Sequence, residues 1–187
     1  MLLKQALVVI DAQQELIEGN DKEQAVYRKD ELLETINAVI KKAKEANAPI
    51  IFVRDKDVAG GEGDGFQVHQ AIQVPETASY FDKYATNAFY NTGLLDYLQA
   101  NDIQHVVIMG CKTEHCIDTA VRTATIHGFD VTLVADGHST NGSHYLSPED
   151  TVAHHNDILH GHYNVDHFSL VRSADEALFE PTHNRYR

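Results

Sequence analysis

Short apolar runs alternate with amphipathic stretches along the chain. Four of the runs are continuous and are bounded by polar residues, which is typical of strands that are buried on both faces of a parallel sheet. They predict strands at 6–11, 48–55, 105–110 and 130–136. A further strand is expected within 165–171.

Three other stretches carry helix signals. In 30–46, apolar residues recur at helical spacing, with acidic residues early and lysines late, as the helix dipole favours. The stretches 115–128 and 147–161 predict two more helices, each of which ends at a glycine. Ser147, followed three residues later by Asp150, predicts a capped start for the last one.

The alternation of strands and helices determines the expected architecture. It predicts an α/β protein with three α/β/α layers and a mostly parallel central sheet. The sequence has no repeat, low-complexity tract or linker. We therefore expect a single domain over 1–187.

Composition and charge narrow the class of protein. The chain has 187 residues, 43% of them hydrophobic, and a formal net charge of −13, which disfavours nucleic acid or an anionic membrane as a partner. The apolar runs are too short to span a bilayer, and the N-terminus shows no signal-peptide pattern. Two cysteines form no disulfide framework, and free thiols suit a reducing compartment, so we expect a cytoplasmic protein.

Polar residues at the ends of the predicted strands are candidates for a site, because ligands bind at the carboxyl edge of such sheets. This rule selects Asp11, Asp55, the 110–116 turn and Asp136. Asp11 is the most informative, since a carboxylate that ends a buried strand is costly unless it is paired or functional. A capping or turn aspartate remains an equal alternative at this point.

The two cysteines differ in their predicted settings. Cys111 ends a buried strand and is best interpreted as a small core residue. Cys116 falls in the first turn of the predicted helix, where backbone N–H groups and the helix dipole are expected to lower its thiol pKa. It is a candidate nucleophile, although packing is the commoner role of a lone helical cysteine.

Three motifs in order resemble those of one family. The stretch "GCKTEHCIDTAVRTATIHGFDVTLVADGHST" (110–140) closely resembles the signature of the isochorismatase-like cysteine hydrolases. "ALVVIDAQQEL" (6–16) resembles their first strand, and "FDKYATNAFYNTGLLDYL" (81–98) resembles the segment that carries their catalytic lysine. A further stretch, "VAHHNDIL" (152–159), is similar to one subgroup of cysteine hydrolases. The family includes nicotinamidases, N-carbamoylsarcosine amidases and isochorismatases.

The resemblance implies a Rossmann-like hydrolase fold and a catalytic triad of Asp11, Lys83 and Cys116. In it, Asp11 takes the thiol proton, Lys83 orients and charge-balances the pair, and Cys116 attacks a carbonyl carbon. The backbone N–H groups of Lys112 and Cys116 would hold the oxyanion, with a cis peptide between Cys111 and Lys112. Without the motif, Lys83 would be interpreted as a surface lysine. The resemblance also implies a homo-oligomer, a dimer or a tetramer.

One departure from the family pattern bears on metals. Nicotinamidases carry a D-x-H…H metal site after the second strand, but here Asp55 has no histidine two residues later, and His69 is the only histidine nearby. We therefore expect no metal or other cofactor, and nicotinamide is not the expected substrate. The histidines of the 154–167 segment lack metal-site spacing, so satisfied or exposed side chains are expected.

These residues predict an amidase that cleaves a small-molecule amide through a thioester, since a retained Cys116 favours acyl transfer. Two alternatives remain: an isochorismatase-type hydrolase of a vinyl ether, which needs no thiol, and a catalytically silent binding or scaffold protein. The candidate pocket residues lie within the three motifs: Gln13, Tyr84, Phe89 and His115. Tyr84, Phe89 and His115 are each equally compatible with a core position.

Overall fold

The computed structural model describes residues 3–187 and contains seven strands and six α-helices within that range. The strands are β1 Gln5–Ile10, β2 Ile50–Asp55, β3 Ser79–Lys83, β4 His105–Cys111, β5 Asp130–Ser139, β6 Tyr163–Asn164 and β7 His167–Arg172. The helices are α1 Gln14–Glu18, α2 Lys29–Glu45, α3 Gly63–Phe66, α4 Leu94–Ala100, α5 Asp118–Ile126 and α6 Pro148–Leu159.

The strands form one sheet in the order β3-β2-β1-β4-β5-β7-β6. Every neighbouring pair is parallel except β6 and β7, which form an antiparallel hairpin at one edge. The prediction of a mostly parallel central sheet is confirmed. This order places the carboxyl ends of β3, β2, β1 and β4 next to one another.

Helices pack on both faces of the sheet, so the protein has three layers with an apolar core on each side of the sheet. Alternate residues of β1 point to opposite faces, so Leu7 and Val9 join one core while Val8 and Ile10 join the other. Helix α2 covers the first face, and α4 and α5 cover the second. Within residues 3–187, no helix combines the length and the apolar character that crossing a membrane requires.

The predicted helices form with small shifts in their bounds. Helix α2 begins one residue earlier than expected and buries the predicted apolar stripe. Helix α6 has the predicted cap, since the Asp150 N–H donates to the Ser147 hydroxyl at 3.0 Å. Helix α5 begins only at Asp118, because residues Thr113–Ile117 form a single π-helical turn instead of its first turn.

Strand β3 and helix α4 are two of the elements that the apolar pattern did not predict. Strand β3 buries only Lys83 among its five residues, so it lacks the alternation that reveals a half-buried strand. Helix α4 has seven residues, of which Leu94 and Leu98 are buried, and this is too short for a clear helical period.

Candidate active site

The carboxyl ends of four adjacent strands bring four polar side chains together. Asp11 directly follows β1, Asp55 ends β2, Lys83 ends β3, and Cys116 lies in the turn after β4. A carboxylate oxygen of Asp11, one of Asp55 and the Cys116 sulfur all lie within 4.8 Å of one another. Asp136, the other strand-end acid, is not in this group; its carboxylate accepts a hydrogen bond from the Ala174 N–H at 2.8 Å.

Asp11 sits where the backbones of β1 and β4 approach closely. Its φ of +51° is in the left-handed region, which a non-glycine residue seldom adopts and which clusters at functional sites. Beside it, Gly110 has φ +126°, and a Cβ atom there would lie 2.0 Å from the Ile10 carbonyl oxygen. Glycine at 110 therefore permits the strand contact that buries Asp11 completely.

The Lys83 ammonium is the centre of the cluster. Its Nζ lies 2.9 Å from Asp11 Oδ2, donates a hydrogen bond to Asp55 Oδ2, and donates to Cys116 Sγ at 3.3 Å. The Lys83 side chain is fully buried, which rules out the surface lysine that the sequence left as an alternative. Burial opposes its charge, but the negative charge of Asp11, the charge that Cys116 carries when ionised, and the hydrogen bond to Asp55 outweigh this effect and raise the pKa of Lys83.

Asp11 is a buried carboxyl group with an unusual pKa. Burial disfavours its ionised form and raises its pKa to about 6, although the nearby Lys83 charge acts in the opposite direction. Neither carboxylate oxygen has a well-aligned hydrogen bond, so the 2.9 Å contact with Lys83 is an ion pair of poor hydrogen-bond geometry. Such a group is mainly ionised at neutral pH and still basic enough to accept a proton.

Cys116 differs from the sequence expectation in one respect. It lies in the π turn, closed by a 3.2 Å hydrogen bond from the Ile117 N–H to the Lys112 carbonyl, rather than in an α-helical first turn. Burial and the Asp11 charge raise its pKa to about 12, against the opposing effect of Lys83. The expected lowering of the thiol pKa is therefore wrong, and the resting group is a thiol.

Cys111 occupies the opposite face of the sheet. It belongs to the core that α2 covers, whereas Cys116 belongs to the core on the α5 face. Complete burial raises the pKa of Cys111 well above the ordinary thiol value. This setting agrees with the interpretation of Cys111 as a packing residue.

The backbone of Lys112 leads from β4 into the π turn. The peptide bond between Cys111 and Lys112 is cis. Within residues 3–187 the Lys112 N–H forms no hydrogen bond to another residue, so it is free to donate to a ligand. The Lys112 ammonium instead forms an ion pair with Glu23, which belongs to the loop between α1 and α2.

The four candidate pocket residues have different surroundings. Tyr84 is largely exposed beside Lys83, and His115 is exposed on the π turn. The Phe89 ring packs against His127 and Phe129 at 5.7 and 6.4 Å between ring centroids, just beyond the C-terminal end of α5. Phe89 is half-buried and packs against the apolar core on the α5 face.

Gln13 is fully buried and uses its amide to hold backbone rather than to line a cavity. Its Nε2 donates to the carbonyls of Asp55 and Phe66 at 3.0 and 2.9 Å, and its Oε1 accepts from the Asp55 N–H at 2.7 Å. No sequence pattern indicates this role, apart from the position of Gln13 two residues after Asp11.

The residues present do not fit a metal site. Asp11, Asp55 and Cys116 have suitable ligand atoms, but the Lys83 ammonium contacts all three, and a second cation there would be repelled. His69, the expected nearby histidine, uses Nε2 on Glu18 at 2.9 Å and accepts the Ala71 N–H at Nδ1. Within residues 3–187, the histidines of the 154–167 segment are not gathered into a ligand group.

A buried polar chain that the sequence did not reveal supports the π turn. The Thr113 hydroxyl lies 2.9 Å from His138 Nδ1, and His138 Nε2 lies 2.9 Å from the Asn156 side-chain oxygen. Burial lowers the pKa of His138 to about 4, so the imidazole is neutral at neutral pH. The three residues are far apart in sequence, and no local pattern marks them as partners.

A cavity of about 870 Å³ lies elsewhere, at the β6–β7 hairpin. Its walls include Tyr163, Phe168 and Tyr186, and none of the clustered side chains lines it. The chemistry-bearing residues are therefore separate from this large surface cavity.

Comparison with known proteins identifies the family of this chain. A family model described as the isochorismatase domain matches residues 5–155. YrdC, an uncharacterized isochorismatase family protein of Bacillus subtilis (strain 168), is 24% identical over 178 residues, which are 92% of this chain and 89% of that protein.

Solved structures share the fold. A crystal structure of an isochorismatase family protein has a TM-score of 0.81 and 28% identity, and covers 92% of this chain and 100% of its own. The N-carbamoylsarcosine amidase of Thermoplasma acidophilum has a TM-score of 0.74 at 22% identity, over 94% of this chain and 99% of its own, which shows a common fold. Since the family model spans most of the chain and the sheet is that of its solved relatives, this protein belongs to the isochorismatase family of hydrolases.

Proposed function

We propose that the protein is a cysteine hydrolase that cleaves the C–N bond of a small amide through a thioester on Cys116. The observation that carries this proposal is the contact of one buried ammonium, Lys83, with both the Asp11 carboxylate and the Cys116 sulfur. A nucleophile, a base and an orienting charge within contact distance are the parts that covalent acyl transfer requires.

The first step transfers the Cys116 proton to Asp11. Because the thiol pKa is about 12 and the Asp11 pKa is about 6, the thiol stays protonated at rest, and the proton moves as the sulfur attacks. Lys83 stabilises the thiolate that forms, since its Nζ already donates to the sulfur at 3.3 Å.

The second step forms and collapses a tetrahedral intermediate. The Cys116 sulfur bonds to the amide carbon, and the carbonyl oxygen becomes an oxyanion held by the N–H groups of Lys112 and Cys116. Asp11 returns its proton to the leaving nitrogen as the C–N bond breaks. Asp11 then takes a proton from water, whose oxygen attacks the thioester carbon, and gives it to the departing Cys116 sulfur.

One structural relative is named for a reaction of the proposed kind, the hydrolysis of a C–N bond. One structural neighbour is named as an N-carbamoylsarcosine amidase, so this fold carries C–N bond hydrolysis in that protein. The retained thiol favours acyl transfer over cleavage of a vinyl ether, which requires no sulfur nucleophile.

A panel of small amides and one vinyl ether tests the proposal. Released ammonia or amine is measured for the amides, and the released carbonyl compound is measured for the vinyl ether. The proteins compared are the wild type, Cys116→Ala and the matched control Cys111→Ala, which removes the other buried sulfur on the opposite face. We expect amide turnover that Cys116→Ala abolishes and Cys111→Ala retains. Vinyl ether turnover that survives Cys116→Ala would favour the isochorismatase-type reaction, and no turnover of either class would favour a silent binding protein.

We also propose, from the resemblance in the sequence, that the protein is a homo-oligomer, a dimer or a tetramer. Light scattering should give a mass that is a multiple of the 20.9 kDa chain. A monomer at that mass would contradict it.

A further inference from the structure

We propose that Asp55 is a positioning residue of the reaction: by sharing Lys83 with Asp11, it fixes the ammonium beside Cys116 and keeps Asp11 basic enough to take the thiol proton. The inference rests on the function proposed above, since it assigns Asp55 a part in the same proton transfer. Asp55 acts through Lys83 and need not touch the substrate.

The contact between Asp55 and Lys83 is built into the sheet. The two residues are direct partners in the parallel register of β2 and β3, so their side chains leave neighbouring strands at the same level. The Asp55 carboxylate accepts a hydrogen bond from Lys83 Nζ. Lys83 therefore bridges carboxylates from β1 and β2.

Asp55 is itself held rigidly, as a positioning role requires. Gln13 accepts from its backbone N–H and donates to its carbonyl, at 2.7 and 3.0 Å. Its other carboxylate oxygen accepts from the Asp57 N–H at 2.9 Å. Three independent hydrogen bonds thus fix both the backbone and the side chain of a residue that ends a strand.

The two carboxylates have different exposure, which divides their roles. The Asp55 side chain is 18% exposed, whereas that of Asp11 is 1% exposed. Burial favours the protonated form of Asp11, so Asp11 is the carboxylate placed to accept the thiol proton.

The surrounding charges set the direction of the effect. The titratable groups that face Asp11 are Lys83 from β3, Asp55 from β2 and Cys116 from the turn after β4. Cys111, at the end of β4, also interacts with the Asp11 charge but lies on the other face of the sheet. Of these, Lys83 favours ionised Asp11, and the negative charge of Asp55 opposes it. Removing the Asp55 charge removes the effect that opposes Lys83, so the pKa of Asp11 falls and Asp11 becomes a weaker base.

The test compares Asp55→Asn with Asp57→Asn. Asp57 is an exposed carboxylate in the loop that follows β2, two residues after Asp55. Its substitution removes one negative charge without removing a contact of Lys83. The alkylation rate of Cys116 by iodoacetamide is followed against pH by peptide mass spectrometry, which needs no substrate. In the wild type the rate should rise as Asp11 ionises, near pH 6.

In Asp55→Asn we expect the acid limb of this profile to move down by about one pH unit, the scale of one neighbouring charge. We also expect its plateau and kcat to fall by about tenfold, because a weaker base assists less. KM should remain unchanged, since Asp55 does not contact the substrate. Asp57→Asn should match the wild type in all three quantities.

A second variant keeps the inference testable if Asp55→Asn does not fold. Asp55→Glu retains the charge on a longer side chain, so its acid limb should stay at the wild-type position while kcat falls through displacement of Lys83. An unchanged kcat in Asp55→Glu, or an Asp55→Asn profile that coincides with that of Asp57→Asn, would overturn the inference.

Failure of the inference and failure of the proposed function give different results. If Asp11→Asn abolishes the acid limb and Cys116→Ala abolishes amide turnover, but Asp55→Asn behaves like Asp57→Asn, only the role of Asp55 is wrong. If Cys116→Ala retains amide turnover, the proposed function fails first.

Discussion

Replacing Asp11 with asparagine should stabilise the folded protein at alkaline pH while it removes the activity. Asparagine has the size of the protonated carboxyl group but cannot ionise. The wild-type protein must hold an ionised carboxylate in a fully buried position above its pKa. Asp11→Asn buries no ionised group at this position, and the Lys83 ammonium still forms an ion pair with the Asp55 carboxylate.

The magnitude follows from the pKa of Asp11, about 6 in the fold against an ordinary value of 3.8. Each pKa unit corresponds to about 1.4 kcal/mol, so the ionised carboxylate lowers the free energy of unfolding by about 3 kcal/mol where both states are ionised. Because folding raises this pKa, the penalty is absent below the ordinary value, grows between the two values and is complete above about pH 6.

The assay is urea unfolding of the wild type, Asp11→Asn and the exposed control Asp57→Asn across this pH range. The advantage of Asp11→Asn over the wild type should grow by about 2–3 kcal/mol between about pH 4 and pH 8. The prediction concerns how this difference in the free energy of unfolding changes with pH. A pH-independent cost of burying the asparagine amide does not affect that change. An advantage that is the same at every pH, or that appears equally in Asp57→Asn, would refute the assignment of a raised pKa to Asp11.

Three further predictions concern the sulfur, the backbone donor and metal ions. Iodoacetamide at neutral pH should modify Cys116 before Cys111, because Cys116 is 8% exposed beside Lys83 and Cys111 is completely buried; equal labelling of the two peptides would contradict this. Lys112→Ala should retain most of kcat, because the Lys112 ammonium forms an ion pair only with Glu23 among the described residues and the proposed catalytic role belongs to the backbone N–H. A loss as large as that of Cys116→Ala would count against Lys112 as an oxyanion donor. Activity should survive incubation with EDTA, since Lys83 occupies the centre of the only cluster of metal-ligating groups in residues 3–187; loss with EDTA and recovery with zinc would reverse this conclusion.

The sequence predicted much of the sheet because its buried strands are continuous apolar runs. Strand β4, for example, is buried at all seven positions, and its start at His105 is where the apolar pattern placed it. Strand β3 was not predicted because it is an edge strand of the sheet, paired only with β2. Most of its side chains are therefore half-exposed, and it has no continuous apolar run. Its only buried side chain, Lys83, is polar and is buried by charge pairing rather than by apolarity.

The position of the site was predictable, but its electrostatics were not. The strand-end rule selected Asp11, Asp55, the turn that contains Cys116, and Asp136. The first three lie together, whereas Asp136 lies elsewhere. The partnership of Asp55 with Lys83 depends on the register of β2 against β3, which no local pattern encodes. The thiol pKa was misjudged because burial and the Asp11 charge, both tertiary effects, outweigh the expected influence of a helix start.

The most direct test of the central claim is to trap the covalent intermediate. The wild-type protein is mixed with an amide that it turns over, quenched in acid during the first turnovers, digested and analysed by mass spectrometry. We predict that the acyl group of the substrate is found as a thioester on the peptide that contains Cys116, and that hydroxylamine removes it. Turnover without any acyl mass on Cys116, or with the acyl group on Cys111 instead, would contradict the account.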